Sequence, residues 1–267
     1  MRLAIGAALP VLLAACATSG RVRPSEPSPA GLAAPAPVSD ATPRGASDGE
    51  PSSAAPGEER PAPGDAGPHA PDAYDELSAR LAARAATMLG HRAAFTLGVE
   101  RFQADCSGFV AWVYQAEGIP LRRLWTRAAP DERSAVAATY FAARSWGVVF
   151  GGGGEWPRPG DLVFFRDTYD RNRDGRFDDP FTHVGIVEGI DEGGTVTFLH
   201  RGSRGVARGA MTLARPSERR DEEGRELNSI LRRGKAPADG SNLAGRLFMG
   251  YARFDPARFP ADDIAWR

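Results

Sequence analysis

The sequence changes character sharply near residue 73. From residue 17 to residue 72 it contains no Phe, Tyr, Trp, Ile or Met, whereas every aromatic residue lies from Tyr74 onward. A segment rich in Ala, Pro, Ser and Gly cannot bury enough apolar surface to offset the entropy cost of ordering its backbone. Residues 16–72 are therefore predicted to be a disordered tether, roughly 40 Å long as a random coil. One folded domain is predicted over residues 73–267.

The first fifteen residues have the pattern of an export signal. Arg2 gives a positive start, an apolar run follows, and small residues lead into Cys16. The run is too short to span a bilayer as a helix. Residues 13–16, LAAC, resemble the lipobox of bacterial lipoproteins, which implies cleavage after residue 15 and a lipid on Cys16. Ala17 rather than Asp follows, so the resemblance implies an outer-membrane anchor facing the periplasm. The alternative is an ordinary secretory signal with a chance cysteine.

Charge and cysteine content narrow the range of functions that the chain can have. The 33 Lys and Arg nearly cancel the 34 Asp and Glu, for a net charge of -1, so total charge gives no reason to expect nucleic-acid binding. The chain has two cysteines. If Cys16 carries lipid, Cys106 has no partner within an exported chain. An unpaired thiol in an oxidising compartment calls for a functional explanation.

Helical periodicity precedes strand patterns along the domain. Helices are predicted over 73–89, 106–117 and 130–145, the last with Pro130 in its first turn. Strands are predicted over 162–165, 183–190, 195–200 and 247–254. This order predicts an α+β domain with a small antiparallel sheet. Residues 201–245 are charged, Gly-rich and weakly patterned.

Cys106 lies in the first turn of the predicted helix 106–117, with Asp105 as its N-cap. A cysteine attacks carbonyls as the thiolate, so a nucleophilic role requires a lowered pKa. A helix N-terminus and a nearby imidazole both lower the pKa of a thiol. We therefore expect the pKa of Cys106 to be lowered. The alternative is that Cys106 is a small apolar residue at the start of a core helix.

Two histidines flank the predicted hairpin loop 191–194. If Ile190 pairs with Thr195, His200 lies opposite Gly185, and His183 is its diagonal neighbour on the same face. Diagonal neighbours are about 7–8 Å apart at Cα, close enough for two imidazoles to meet. One imidazole can then orient the other, as in a catalytic triad. The alternative is two solvated histidines at the ends of edge strands.

Three segments together resemble the NlpC/P60 family of cell-wall cysteine peptidases: DCSGFV (105–110), PGDLVFF (159–165) and HVGIV (183–187), with His200 ending the next strand. The resemblance implies a papain-like fold in which the cysteine helix packs on the sheet. It implies hydrolysis of amide bonds in peptidoglycan stem peptides, typically after D-γ-glutamate. Cys106 is then the nucleophile, His183 the base and His200 the orienting residue. Asp105 and Ser107 match positions that hold the free N-terminus of the stem peptide, a role compatible with helix capping.

The chain departs from the family pattern in places, and other functions fit the same residues. The family carries a tyrosine shortly before the cysteine, where this chain has Phe95 and no tyrosine, which leaves substrate specificity open. Relative to the family, residues 201–245 are a large insertion, which we expect to shape or cover the cleft. The rival activities are a CHAP-type amidase and a γ-glutamyl peptide hydrolase; a wall-binding lipoprotein without turnover is the non-enzymatic alternative. The expected partners are peptidoglycan peptides and, through the lipid, a membrane. We expect a monomer that needs no cofactor for catalysis.

Residues 170–179, DRNRDGRFDD, resemble the start of an EF-hand-type calcium loop. The predicted ligands of a structural Ca²⁺ are Asp170, Asn172, Asp174, Asp178 and the carbonyl of Arg176. The twelfth loop position is Phe181 instead of Glu, and Asp179 is the nearest substitute. The alternative is a polar Asp/Gly turn without metal.

Overall fold

The computed structural model describes residues 73–151, 155–234 and 237–260. The predicted signal peptide 1–15, the lipidation site Cys16 and the tether up to residue 72 lie outside the described residues. Within the described part of the chain, no helix is both long enough and apolar enough to cross a bilayer.

Five α-helices and one short 3-10 helix occur in the described residues: α1 Ala73–Ala86, α2 Cys106–Ala116, α3 Leu121–Ala128, α4 Ala135–Trp146, α5 Ala244–Leu247 and the 3-10 helix Pro256–Arg258. The cysteine helix is confirmed, and Gly118 after it has φ 88°, the left-handed conformation typical of a residue that ends a helix. The predicted start of α4 at Pro130 is wrong. Ser134 caps this helix instead, because its Oγ accepts from the N–H of Ala137 at 3.3 Å.

The strands form a small hairpin and one six-stranded sheet. They are β1 Phe95–Leu97, β2 Glu100–Phe102, β3 Gly147–Phe150, β4 Leu162–Phe165, β5 His183–Ile190, β6 Val196–Gly202, β7 Gly205–Met211 and β8 Phe248–Phe254. The sheet order is β3-β8-β4-β5-β6-β7, and every neighbouring pair is antiparallel. The predicted α+β class with an antiparallel sheet is confirmed. The hairpin β1–β2, β3, α3 and β7 were not predicted.

The β5–β6 register agrees with the sequence prediction only at the end near the histidines. Ile190 pairs with Val196 and not with Thr195, so the predicted turn is off by one residue. A bulge at Glu188 removes this shift, and beyond it Ile186 pairs with Leu199. A β-bulge inserts one extra residue into one strand. The insertion restores the alignment that places the two histidines on the same side.

The central strand β4 is buried on both faces. Leu162 and Phe164 belong to the apolar cluster that the helices cover, whereas Val163 and Phe165 belong to a second cluster on the opposite face. Successive strand residues point to opposite faces, which explains the uninterrupted apolar run LVFF. Leu213 and Leu231, from the segment between β7 and α5, pack against the second cluster. The insertion predicted over 201–245 therefore supplies strand β7 and covers the second face of the sheet.

The turn before β4 joins four elements. Asp161 is fully buried and accepts two hydrogen bonds from the Arg253 guanidinium of β8, at 3.0 and 2.7 Å. Tyr114 of α2 donates to the carbonyl of Gly160 at 2.7 Å, and Ser78 of α1 donates to the carbonyl of Pro159. This turn fixes the cysteine helix relative to the sheet.

Replacing Asp161 with alanine should destabilise the domain strongly. Removing one partner of a buried ion pair costs about 3–5 kcal/mol, and among the described residues Arg253 would keep only the half-exposed Glu155 as an acidic partner. Urea unfolding of the full chain measures the effect. Asp75→Ala is the matched control, because Asp75 pairs with Arg158 while about half exposed, and exposed pairs contribute about 0–1 kcal/mol. Equal losses in the two variants would contradict the structural role of Asp161.

Candidate active site

Cys106 begins helix α2, and its neighbours fix the first turn. Oδ1 of Asp105 accepts from the N–H of Gly108 at 2.7 Å and from Oγ of Ser107 at 2.8 Å. A Cβ at Gly108 would lie 2.1 Å from the carbonyl oxygen of Gln103, so only glycine fits this position. The capping and close-packing requirements together explain the sequence DCSG. The predicted N-cap role of Asp105 is confirmed.

The environment of the Cys106 thiol differs from the expected one. Burial raises the pKa of Cys106 to about 12, with a smaller contribution in the same direction from Asp105, although the N–H groups of Val184, Ser107 and Cys106 lower it. The expected lowering of the pKa is therefore wrong. Removing the thiolate from water outweighs the favourable N–H groups at the helix start. Cys106 rests as a neutral thiol.

The raised pKa of Cys106 predicts slow alkylation at neutral pH. Iodoacetamide reacts with the thiolate, and a free thiol has a pKa of about 8.5. The pseudo-first-order rate for Cys106 should therefore keep rising well above pH 9, beyond the plateau of free cysteine. The buried thiol also makes the free energy of unfolding depend on pH. Because burial favours the protonated form of Cys106, its contribution to the free energy of unfolding is present below pH 9 and is lost as the pH rises toward 12. An alkylation rate that levels off at or below pH 8.5 would contradict this environment.

His183 and His200 are in direct contact. Nε2 of His183 lies 2.8 Å from Nδ1 of His200, and the two rings are nearly perpendicular, with an interplanar angle of 86°. Both rings stand over aromatic side chains of the sheet. The centroid of Phe165 is 6.2 Å from that of His183, and the centroid of Phe198 is 5.3 Å from that of His200. The predicted juxtaposition of the two histidines is confirmed.

Burial keeps both imidazoles neutral. It lowers the pKa of His200 to about 4. Burial, and secondarily the positive form of His200, lowers the pKa of His183 well below its usual value. Neither histidine is charged at pH 7. The stability that these neutral rings contribute is present above pH 6.5 and is lost as the pH falls toward 4.

One cleft brings the predicted site residues together. It has a volume of about 1520 Å³, and its lining includes Asp105, Cys106, Ser107, His183 and His200. The backbone N–H of Val184, the residue after His183, lies near enough to the Cys106 thiol to lower its pKa. Strand β5 therefore presents the first histidine next to the start of the cysteine helix.

Tyr169 is a cleft residue that the sequence did not reveal. It lines the same cleft and is half-exposed. Its pKa is raised by burial first and by the neighbouring Cys106 second. Phe95, at the position where the resemblance led us to look for a tyrosine, is instead buried against Phe109 and Trp112, with centroids 5.7 and 6.0 Å away. The cleft tyrosine thus comes from the loop before β5, directly before the calcium-like segment 170–179, and no sequence pattern marked it as a cleft residue.

The predicted calcium loop forms a tight polar turn. Asp170 accepts from the N–H groups of Arg173 and Gly175 at 2.6 and 2.9 Å, and Asn172 donates to Asp174 at 3.1 Å. Within residues 73–151, 155–234 and 237–260, no three or more His, Cys, Asp and Glu side chains are placed to share a metal ion. A loop of this kind also uses amide and carbonyl oxygens. The calcium site stays a prediction.

The remaining residues predicted to bind calcium differ in how far they are buried. Asp178 and Arg176 are exposed. Asp179 is buried, and its Oδ2 accepts from the N–H of Arg171 at 2.7 Å. The carboxylate of Asp179 therefore closes the base of the loop, which does not favour it as the substitute for the missing glutamate.

Comparison with known proteins gives one family match. Residues 98–202 match the model of the CHAP domain. The matched segment contains Cys106, His183 and His200. The CHAP domain was one of the alternatives that the sequence left open, and the match coincides with the part of the chain that forms the cleft.

Two further comparisons add little. A crystal structure from Staphylococcus aureus, of a protein described as similar to a lipoprotein of the NLP/P60 family, is 25% identical over 50% of this chain and 36% of that one, with a TM-score of 0.30. That score is too low to show a shared fold. No curated protein matches the sequence.

Proposed function

We propose that the domain is a cysteine hydrolase that cleaves amide bonds in peptidoglycan peptides. The observation that carries this proposal is the shared cleft, which is lined both by the thiol at the start of α2 and by a hydrogen-bonded histidine pair. The CHAP match over residues 98–202 supports the substrate class, since that domain is associated with peptidoglycan amidases and peptidases.

The histidine contact determines which ring nitrogen accepts the proton. Nε2 of His183 is occupied by Nδ1 of His200, which leaves Nδ1 of His183 as the basic nitrogen. A neutral imidazole carries one hydrogen on its two nitrogens. If Nδ1 of His183 is to accept a proton, that hydrogen must be on Nε2, which then donates a hydrogen bond to Nδ1 of His200. His200 then holds the ring of His183 in one orientation and one tautomer, which is the role of the third member of a triad.

Cys106 and His183 are both neutral before the reaction, and this determines the first chemical step. Cys106 Sγ attacks the amide carbonyl carbon while its proton passes to Nδ1 of His183, so charge develops only during attack. The imidazolium formed then protonates the leaving amine, and the product is a thioester on Cys106. Water, deprotonated by His183, hydrolyses that thioester and regenerates the thiol. The complete reaction consumes one water molecule for each amide bond cleaved and requires no cofactor.

Backbone N–H groups at the start of α2 can stabilise the oxyanion. The N–H groups of Cys106 and Ser107 favour negative charge at the sulfur, whereas the N–H of Gly108 is used by the cap. When the sulfur attacks an amide carbonyl, the negative charge develops on the carbonyl oxygen, and we assign its stabilisation to the N–H groups of Cys106 and Ser107. Asp105 uses only Oδ1 for its two cap bonds. Its Oδ2 is therefore the oxygen that we assign to the free amino group of a stem peptide.

Fragment masses decide which amide bond is cut. Purified peptidoglycan is digested with the full chain, and the soluble products are separated and weighed. Cleavage after D-γ-glutamate gives an endopeptidase, while release of the intact stem peptide from the glycan gives an amidase. Both outcomes support the hydrolase. Undigested peptidoglycan together with tight binding to it would replace the proposal with the non-enzymatic wall-binding alternative.

We propose that the N-terminal segment anchors the domain to a membrane. A signal peptide over residues 1–15, a lipid on Cys16 and a tether up to residue 72 would hold the domain at the outer membrane, within reach of the peptidoglycan. The lipobox-like sequence LAAC supports this arrangement. Palmitate labelling that disappears in Cys16→Ala tests it.

We further propose a structural Ca²⁺ in the loop 170–179. Added Ca²⁺ should raise the melting temperature of the full chain, and EGTA should reverse the rise, because binding to the folded state alone stabilises it. Asp170→Asn is the control and should lose the response. An unchanged melting temperature in millimolar Ca²⁺ removes the metal and leaves a polar turn.

A further inference from the structure

The cleft carries a strong local charge in a nearly neutral chain. Among the described residues that line it, ten are arginines and four are acidic, although the whole chain has a net charge of -1. Six of these arginines come from one continuous part of the chain, the β6–β7 hairpin and the segment after β7. One of them, Arg208, is bound by Glu188. We call the other five the arginine wall: Arg201, Arg204, Arg219, Arg232 and Arg233.

Within the described residues, no carboxylate neutralises the arginine wall. Arg201 donates to the carbonyl of Arg92 at 2.7 Å, and Arg232 donates to the carbonyl of Ser241 at 2.8 Å. Carbonyl oxygens fix the position of a guanidinium but leave its positive charge in place. The side chains of Arg204, Arg219 and Arg233 are exposed. Arg208, which also lines the cleft, differs because Glu188 binds it through both oxygens at 2.6 and 2.7 Å.

The segment that carries the wall is held firmly. Asn228 is fully buried and uses its complete hydrogen-bonding capacity. Its amide oxygen accepts from Thr212 and Gly245 at 3.1 and 3.0 Å, and its amide nitrogen donates to the carbonyls of Arg215 and Glu218 at 2.9 and 2.8 Å. These bonds tie both ends of the segment to its middle. The backbone that carries Arg219, Arg232 and Arg233 is therefore held in place by bonds within the protein.

We propose that the arginine wall binds carboxylate groups of the peptide substrate and makes the enzyme selective for substrates with free carboxylates. Planar guanidinium groups match carboxylates in a bidentate geometry. The wall shares its cleft with Cys106, so the bound anion belongs to the molecule being cleaved. This inference rests on the proposed peptidoglycan substrate, which it narrows to peptides whose carboxyl groups are not amidated.

The test compares one set of substrates in two charge states. Soluble peptidoglycan fragments are used as prepared and after carbodiimide coupling with ammonia, which converts their carboxylates to neutral carboxamides. The wall variant is Arg204→Gln/Arg219→Gln/Arg233→Gln. The matched control is Arg215→Gln/Arg220→Gln/Arg225→Gln, which removes three exposed arginines of the same segment that do not line the cleft.

Wild type should show a lower kcat/KM on amidated fragments, and the wall variant should lose most of this preference. The loss of three exposed charge pairs should reduce the preference by about tenfold. The preference should also shrink at high salt because exposed charges are screened. The control triple should keep the wild-type preference. Equal kcat/KM of wild type on both fragment sets, or equal losses in the two triples, would overturn the proposal.

A binding arm separates this inference from the proposed function. Cys106→Ala binds fragments without turning them over, and its dissociation constants for free and amidated fragments are measured with and without the wall substitutions. Tighter binding of free carboxylates that is lost in the wall variant supports the inference even if wild type hydrolyses nothing, in which case only the proposed function fails. Equal binding of the two fragment sets overturns the inference even if wild type hydrolyses both.

Discussion

Cys106→Ala should abolish hydrolysis of peptidoglycan fragments while leaving the fold intact. Without the sulfur no thioester forms, and loss of a nucleophile typically lowers kcat by about 1,000-fold or more. Alanine keeps the helix start, because the cap bonds involve Asp105, Ser107 and Gly108. Release of new amino groups measures the rate, and thermal unfolding measures the fold.

Cys106→Ser refines this result. A serine hydroxyl is close in size but has a much higher pKa than a thiol, so it should be nearly as inactive as alanine. Because Cys106 already rests protonated, the loss in the serine variant reports on nucleophilicity and not on a stored charge. If the alanine variant retained the wild-type rate, hydrolysis would come from another group, and the proposed role of Cys106 would be wrong.

His183→Ala should lower kcat by about 100- to 10,000-fold, the range for loss of a general acid–base group. The pH profile gives a sharper test. Because the pKa of His183 lies well below its usual value, the base stays neutral as the solution is acidified. Wild-type kcat/KM should therefore remain flat between pH 7 and about pH 5.5, where an ordinary imidazole would already be largely protonated. A fall centred at pH 6.5 would contradict the buried environment.

His200 variants separate orientation from proton transfer. His200→Ala removes the acceptor for Nε2 of His183 and should reduce kcat less than His183→Ala does. His200→Gln supplies a carbonyl oxygen as acceptor, so it should recover part of the rate that the alanine variant loses. A purely structural role would instead lower stability in proportion to activity and give no recovery with glutamine. The comparison therefore uses kcat and the melting temperature of the same samples.

The sequence was sufficient to predict the parts of the site that depend on local patterns. Asp105 as cap, the helix from Cys106 and the strand from His183 follow from capping and periodicity. The contact between His183 and His200 was predicted through a register that was wrong at the turn. The bulge at Glu188 compensated for that error, and no sequence pattern marked it.

Properties that arise from the folded surroundings could not be predicted. The raised pKa of Cys106 results from burial by distant segments, which outweighs the helix-terminal effect that the sequence showed. Strand β7, GVARGAM, has too many glycines to resemble a strand, yet it pairs with β6 along its whole length. The arginine wall could not be predicted from composition, because acidic residues elsewhere in the chain balance its charge.

Release of amino groups from purified peptidoglycan by wild type and by Cys106→Ala tests the central claim most directly. Equal concentrations of the two proteins are incubated with the same peptidoglycan, and new amino groups are labelled, counted and assigned by mass. The structure predicts that wild type releases amino groups from stem-peptide amide bonds and that Cys106→Ala releases none above background. A folded wild-type protein that releases none, or an alanine variant that matches it, would contradict the claim.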